Sequence, residues 1–306
     1  MSAVLRPEIH DTPARFDARN LGRLHITPLQ APLGARVSGL DVRERPSAAQ
    51  VLALKAALRK HHILVFSGQT PDDSQFLDFT RHFGTIFAAP RNAPVLGSDP
   101  YGNTPEVVRV SNVDDGLLGN HELPAHADHH WTPQPSAGSL LLALEVPSLG
   151  GDTTWRNLAL AYDALDDATR REIDDLQLIT YNPFLRSRHP LPDGKRPLYR
   201  SPDIEALTPW VAHPLVRTHP ESGLRALYLD ESTEVELVGY DPVAGAALIA
   251  RLREHLLQER FAYRHQWQVG DIVYWDNQIT LHGRTEFDPS ERRVLKRISL
   301  SGSTPF

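Results

Sequence analysis

From Phe261 to Ser301 the chain is almost entirely strand. Phe261–Gln268, Ile272–Trp275, Ile279–Arg284 and Arg293–Ser301 follow one another with short turns such as Gly270-Asp271 between them. Side chains of a strand alternate between two faces, so such a succession builds sheet. Earlier segments carry the same signal: Leu24–Pro28, Gly34–Val42, His62–Phe66, Val107–Val113, Asp152–Trp155 and the long apolar run Ala137–Val146, closed by Pro147. His213–Thr218 and Arg225–Leu229 flank a Pro-Glu-Ser-Gly turn and read as a hairpin. Helical signals are fewer. Ser47 caps a helix to about His61 with Val51, Leu52, Leu54 and Leu58 on its apolar face, and Asp72 or Asp73 caps another that Gly84 stops. Two short helices fit between Asn157 and about Leu176, and Pro242–Glu259 is amphipathic through Leu248, Leu252 and Leu256. This is not regular βαβα alternation. The expected fold is mainly β with α cover, a sandwich or jelly roll.

With 306 residues, 41% of them hydrophobic and 23% charged, the chain is long enough for a sizeable core. Residues 1–20 are polar and read as a flexible arm, and 21–306 as a single domain. Phe184–Trp210 is rich in proline and arginine and lacks periodicity, which marks a lid or binding loop at about 184–210. The net charge of −6 argues against a protein that neutralises nucleic-acid phosphates. No apolar run is long enough to span a membrane and the N-terminus lacks an apolar leader, so a soluble, cytoplasmic protein is expected. There are no cysteines among the residues, which removes disulfides, thiol nucleophiles and thiolate metal sites together. Any metal must sit on His, Asp or Glu, and the chain has 15 histidines.

The densest histidine segment is His121–His130, HELPAHADHH. His126 and Asp128 stand two apart, which on a strand points both side chains to one face. An imidazole and a carboxylate converging on one point supply two ligands of the 2-His-1-carboxylate arrangement of non-haem Fe(II) oxygenases. His-x-Asp alone is a weak signal, and a third ligand must come from a distant strand. His282, in WDNQITLHGRT, is the candidate. Arg293 and Arg297 lie four apart on the last strand and share a face. Arginine suits anionic ligands because its planar fork bonds carboxylates bidentately. Arg284, Arg292 and Lys296 read as surface cations.

The ordered set HAD, GGDTTW at 150–155, WDN…LH and an arginine eleven residues after His282 resembles the Fe(II)/2-oxoglutarate dioxygenases of the taurine dioxygenase / 2,4-dichlorophenoxyacetate dioxygenase (TauD/TfdA) family. The likeness runs from about Leu24 to Ser301; the segment 262–277 looks especially like the phenoxyacetate branch, and HPLVRTHPESG at 213–223 recurs across the group. The resemblance implies a double-stranded β-helix of the jelly-roll, cupin-like type. It implies His126, Asp128 and His282 as Fe(II) ligands, and Thr153 and Arg293 for the distal carboxylate of 2-oxoglutarate. It also implies Arg297 for the acidic group of a small anionic substrate, and O2 as the second cosubstrate, with ascorbate sustaining activity. Family halogenases replace the carboxylate ligand with a small residue, so Asp128 implies hydroxylation. A homo-oligomer, dimer or tetramer, is implied as well, with no nucleic-acid or membrane partner.

Asn112, His121 and Glu122 are further substrate-binding candidates, each with a structural reading beside the functional one. His130 shares the parity of His126 and Asp128 and could line the cavity, whereas Trp155, Trp275 and Asn277 read as packing and turn residues. Two positions that contact taurine in taurine dioxygenase correspond to Ala89 and Asn92, which argues against taurine itself. A biosynthetic hydroxylase of an amino-acid-like acid stays open at this point. So do a metal-binding jelly roll without turnover and a zinc hydrolase using the same three ligands.

Overall fold

The computed structural model describes residues 22–87, 106–113, 118–183 and 209–306. The arm expected over 1–20, nearly all of the lid expected at about 184–210, and Ala89 and Asn92 lie outside the described residues.

In chain order the strands are β1 His25–Pro28, β2 Ala35–Ser38, β3 Ile63–Phe66, β4 Val108–Ser111, β5 Leu123–His126, β6 Gly138–Glu145, β7 Thr153–Asn157 and β8 Gln177–Thr180. They continue with β9 Val211–Pro214, β10 Val216–Thr218, β11 Arg225–Leu227, β12 Val235–Leu237, β13 Ala262–His265, β14 Ile272–Asp276, β15 Thr280–Arg284 and β16 Val294–Leu300. The helices are α1 Ala48–His61, α2 Asp73–Arg81, α3 Leu158–Asp163, α4 Asp167–Ile173 and α5 Pro242–Leu256.

A seven-stranded sheet in the order β1-β2-β3-β14-β6-β16-β4 faces a four-stranded sheet in the order β13-β7-β15-β5. Of the described pairings only β2–β3 is parallel. Smaller sheets, β12-β8-β9 and β10-β11, complete the molecule. The mainly β, jelly-roll expectation holds.

The sequence explains the layering. The central strands of the large sheet are buried on both faces, so β3 (ILVF) and β6 (GSLLLALE) read as unbroken apolar runs. Ile63 and Val65 face the other sheet, alongside Leu141, Val273, Trp275 and Leu295 of their own sheet and in one cluster with Trp155 of the other. Leu64 and Phe66 turn the other way, with Leu140, Leu142 and Tyr274, against Leu54 and Leu58 of α1 and Phe76 and Phe79 of α2. Both helices start where their caps predict. Ser47 and Asp72 each accept from the backbone three residues on, and Gln50 and Gln75 bond back to the cap, two capping boxes. The outer face of the small sheet, through Leu281, packs on α3 and α5.

Two strands escaped the sequence reading, β8 and β12, and β5 stops at His126, short of the Asp128 that the His-x-Asp spacing put on a strand. Each is only three or four residues long. The segment 213–218, expected as one strand, breaks at Leu215, so that β9 pairs with β8 and β10 with β11.

Gly283 allows β15 to approach β5. A Cβ there would lie 2.8 Å from the Leu123 carbonyl oxygen and 3.2 Å from the Ala125 nitrogen, both backbone atoms that cannot swing aside. Gly283→Ala is therefore expected to destabilise the fold by about 1–3 kcal/mol, the usual cost of overpacking. Denaturant unfolding against wild type measures it, and an unchanged midpoint would contradict this tight approach.

Candidate metal centre and anion site

The pairing of the small sheet sets up two adjacent inward-facing rows. Tyr263 opposes Trp155, Trp155 opposes His282, and His282 opposes His126. Two residues along, His265 opposes Thr153 and Thr153 opposes Arg284; toward β5 the register shifts by one residue, so Arg284 meets Leu123 across a bulge. Directly opposed residues share a face, so the first row carries the two imidazoles and the second carries Thr153 and a guanidinium.

Ligand atoms of His126, Asp128 and His282 all lie within 4.8 Å of one another, and among the described residues no other such group of three occurs. The structure corrects how Asp128 gets there. β5 ends at His126, and Asp128 lies in the turn beyond it. Its position comes from Asn277, whose amide accepts from the Asp128 backbone N–H at 2.8 Å and donates to the Asp128 and Ser136 carbonyls at 2.9 Å each. Asn277 is thus structural, as expected, and the peptide it holds is that of a metal-ligand candidate. The next residue, His129, takes φ 60°, the left-handed region that non-glycine residues rarely adopt, and its ring stacks on Phe87 at 4.2 Å. His130 turns away from the site toward the Tyr228 carbonyl at 3.3 Å and Asp230 at 3.9 Å, so it does not line the cavity.

These residues fit a divalent metal. His126 Nδ1 bonds the Pro124 carbonyl at 2.9 Å, which fixes the ring and frees Nε2, 3.9 Å from Asp128 Oδ1. His282 is 9% exposed, its Nδ1 is buried without a hydrogen-bond partner, and its ring packs 4.8 Å from Trp275 and 6.5 Å from Trp155. Burial pushes the His282 imidazole down to about 3, helped by His126, so it stays neutral and able to ligate at physiological pH. Burial alone would raise the Asp128 carboxyl; Arg297 foremost, then His282, reverse this and hold it well below the usual carboxylate range. Arg297 Nη1 donates to Asp128 Oδ1 at 2.9 Å, and Ser139 donates to Oδ2 at 3.3 Å.

The second row leads to the other end of the site. Thr153 Oγ1 accepts from the Trp267 indole at 2.9 Å. An indole N–H can only donate, so the threonine's own proton is directed elsewhere. Arg293 is 2% exposed; its Nε donates to the Gly151 carbonyl at 2.9 Å. Gly151 has φ +65°, and a Cβ there would meet Arg293 Cδ and Nε at 3.1 Å, which accounts for the glycine pair before DTTW. Burial, then the neighbouring Arg284, brings the Arg293 guanidinium down to about 9, still protonated at pH 7.

The remaining candidates fall in several places. Asn112 is committed to backbone: it donates to the Glu291 carbonyl at 2.8 Å and accepts from the Arg293 N–H at 2.8 Å, so it fixes the start of β16. His121 offers its carbonyl to Arg284, and Glu122 is exposed. Trp155 is wholly buried, as expected of a core residue. Arg292 pairs at the surface with Glu145, and Lys296 with Asp73. Arg284 is not the surface cation expected. It is 5% exposed, and burial lowers it to about 10. Its position two residues after His282 on one strand was the sequence signal for this. Nothing in the sequence pointed to Trp267 as a partner of Thr153.

A family profile described as "Taurine catabolism dioxygenase TauD, TfdA family" matches residues 25–299. The chain belongs to this TauD/TfdA family. It is 33% identical over 285 residues to the alpha-ketoglutarate-dependent 2,4-dichlorophenoxyacetate dioxygenase of Cupriavidus pinatubonensis, covering 88% of this chain and 95% of that protein. It is 30% identical over 285 residues to the alpha-ketoglutarate-dependent sulfate ester dioxygenase of Pseudomonas putida, covering 92% and 91%. Among solved structures, AAD-2 in complex with Mn(II) and N-oxalylglycine superposes with a TM-score of 0.76 at 31% identity, covering 92% of this chain and 98% of the other. The chain is accordingly a 2-oxoglutarate-dependent, non-haem iron dioxygenase.

Two outcomes test the centre. Asn277→Ala releases the Asp128 peptide and is expected to weaken Mn(II) binding by roughly 10-fold or more, measured by calorimetry on folded protein; unchanged affinity would show that the clamp is dispensable. Arg297→Gln leaves the burial of Asp128 unopposed, so its carboxyl binds protons more tightly. Protons then compete with metal at higher pH, and the acid limb of Mn(II) binding is expected to move upward, still below pH 7.

Proposed function

We propose that this dioxygenase hydroxylates a small anionic substrate: a carboxylate, sulfonate, sulfate ester or aryloxyalkanoate. In this reading His126, Asp128 and His282 hold Fe(II), and Thr153 and Arg293 hold the distal carboxylate of 2-oxoglutarate. Bound there, the iron supplies O2 activation coupled to decarboxylation of 2-oxoglutarate to succinate and CO2.

The observation that carries the proposal is the pair of buried guanidinia, Arg293 and Arg297, that accompany the ligand set. The side-chain hydrogen bond of Arg293 runs from its Nε to the Gly151 carbonyl, which leaves its Nη end for a ligand, and Arg297 has a buried Nε with no partner. Unpaired buried charge is costly, so both positions favour anions. Arg293 lies beyond Thr153, where a chelating keto acid places its far carboxylate. Arg297, already bonded to Asp128, meets the acidic group of the substrate. The Thr153 hydroxyl, oriented by Trp267, donates to the keto acid. His121 and Glu122, on the segment leading into β5, supply further substrate contacts, and ascorbate sustains activity. Asp128 occupies a ligand position with a carboxylate, which favours return of hydroxyl to carbon. Hydroxylation beside an ether or sulfate-ester oxygen then yields a product that fragments. The relatives named for aryloxyalkanoates and sulfate esters support this range of acids.

A screen of such anions, following O2 uptake and succinate together, tests the proposal. The expected result is coupled turnover on an acid. Arg297→Gln at pH 7.5 should raise the KM of the best substrate by roughly 10-fold or more, with the visible band of the anaerobic Fe(II)–2-oxoglutarate complex intact. Loss of that band instead would reverse the roles of the two arginines, and turnover without O2 and 2-oxoglutarate would favour a hydrolase.

A further inference from the structure

Arg284 stands two residues beyond His282 on β15, on the same inward face, with Thr153 directly opposite it on β7. It is 5% exposed and no acidic side chain pairs with it among the described residues. Its hydrogen bonding is lopsided. Nη2 donates to the Leu118 carbonyl at 3.0 Å and to the His121 carbonyl, while Nε is buried with no partner. A guanidinium carries five N–H donors, and among the described residues one nitrogen makes both of this one's hydrogen bonds, while its carbon lies over the Phe287 ring, 5.2 Å from the centroid. Arg293 approaches the same end of the site from β16, seated on Gly151, two residues before Thr153. Two buried like charges thus converge on the Thr153 end of β7, near enough to act on one another, and each raises the cost of burying the other. A tether for the 118–121 segment does not need a charge; a bound carboxylate does.

We propose that Arg284 is a second cationic anchor for the distal carboxylate of 2-oxoglutarate, which it shares with Arg293 and Thr153. The assignment rests on the keto-acid site proposed above and adds a residue to it. Held between two guanidinia, the carboxylate has its charge compensated from both sides. The iron end of the keto acid is untouched by Arg284, so its contribution is confined to the far carboxylate. The two carbonyl contacts give Arg284 a further consequence: the segment carrying His121 is bonded to the cation that holds the cosubstrate.

The test compares two keto acids of equal length. 2-Oxovalerate has the carbon skeleton of 2-oxoglutarate but a methyl in place of the distal carboxylate. Both are titrated anaerobically into the Fe(II)-loaded protein, reading the visible charge-transfer band, for wild type, Arg284→Gln and Arg284→Lys. Gln keeps N–H donors for the Leu118 and His121 carbonyls and removes the charge; Lys keeps the charge. The expected result is that Arg284→Gln weakens 2-oxoglutarate by about 10- to 100-fold and leaves 2-oxovalerate within about twofold, while Arg284→Lys retains most of the preference for the diacid. Equal loss of both keto acids, or loss of neither, would overturn the assignment and leave Arg284 a tether for the loop. If Arg284→Gln fails to fold, the same comparison in Arg284→Lys decides: a collapsed preference with both acids bound equally overturns charge as the determinant. Absence of any band in wild type overturns the keto-acid site itself, a different failure.

Discussion

One register holds the chemistry of this molecule in place. β7, β15 and β5 align so that Trp155, His282 and His126 stand in one row, and β7 and β15 set Thr153 opposite Arg284 in the next. Because side chains alternate, a one-residue slip of β15 would send His282 and Arg284 to the outer face and bring Leu281 inward, where it would leave its contacts with α3 and α5. The outward hydrophobic core therefore enforces the inward polar one. Gly283 lies between His282 and Arg284 and lets the backbones close.

The inward face would be a poor core on its own. It collects imidazoles, a carboxylate and arginines in a space where unpaired charge is expensive. Part of the cost is met internally: Arg297 neutralises Asp128, Asn277 satisfies the peptide of the Asp128 turn, and the His265–Asp271 pair sits beside Trp267. The remainder is left uncompensated at His282 Nδ1, Arg284 Nε and Arg297 Nε. Proteins tolerate such incomplete satisfaction where a ligand supplies the missing partner. The rim residues that expose charge, such as Arg292 and Lys296, are instead paired with Glu145 and Asp73 and shape the outer surface.

Much of this was legible in the sequence, for identifiable reasons. Long apolar strands and capped helices announce themselves through local pattern, which is why β6, β14, β16, α1 and α2 fall close to their expected bounds. His126, Asp128 and His282 were readable as residue types at known spacing. What local pattern does not carry is pairing between strands far apart in the chain. Asp128 was assigned to a strand because the spacing suited one; it sits in a turn fixed by Asn277, 149 residues away. Arg284 was taken for a surface cation although it shares the parity of His282; that Thr153 lies opposite it is not readable from local sequence. Trp267 was indistinguishable from a core tryptophan until its indole was seen to bond a threonine 114 residues earlier. Asn112, a substrate candidate by sequence, spends its amide on the backbone that begins β16.

The packing of His282 beside Trp155 and Trp275 has an optical consequence. Both indoles are almost wholly buried and their centres lie 6.5 and 4.8 Å from the ring of a candidate metal ligand. Their emission originates in a rigid, dry environment, and a paramagnetic ion arriving on His282 opens a short-range route for the excited state to decay. The protein thus carries two intrinsic fluorophores beside its reaction centre, and its own ultraviolet emission can serve as a gauge of how full that centre is.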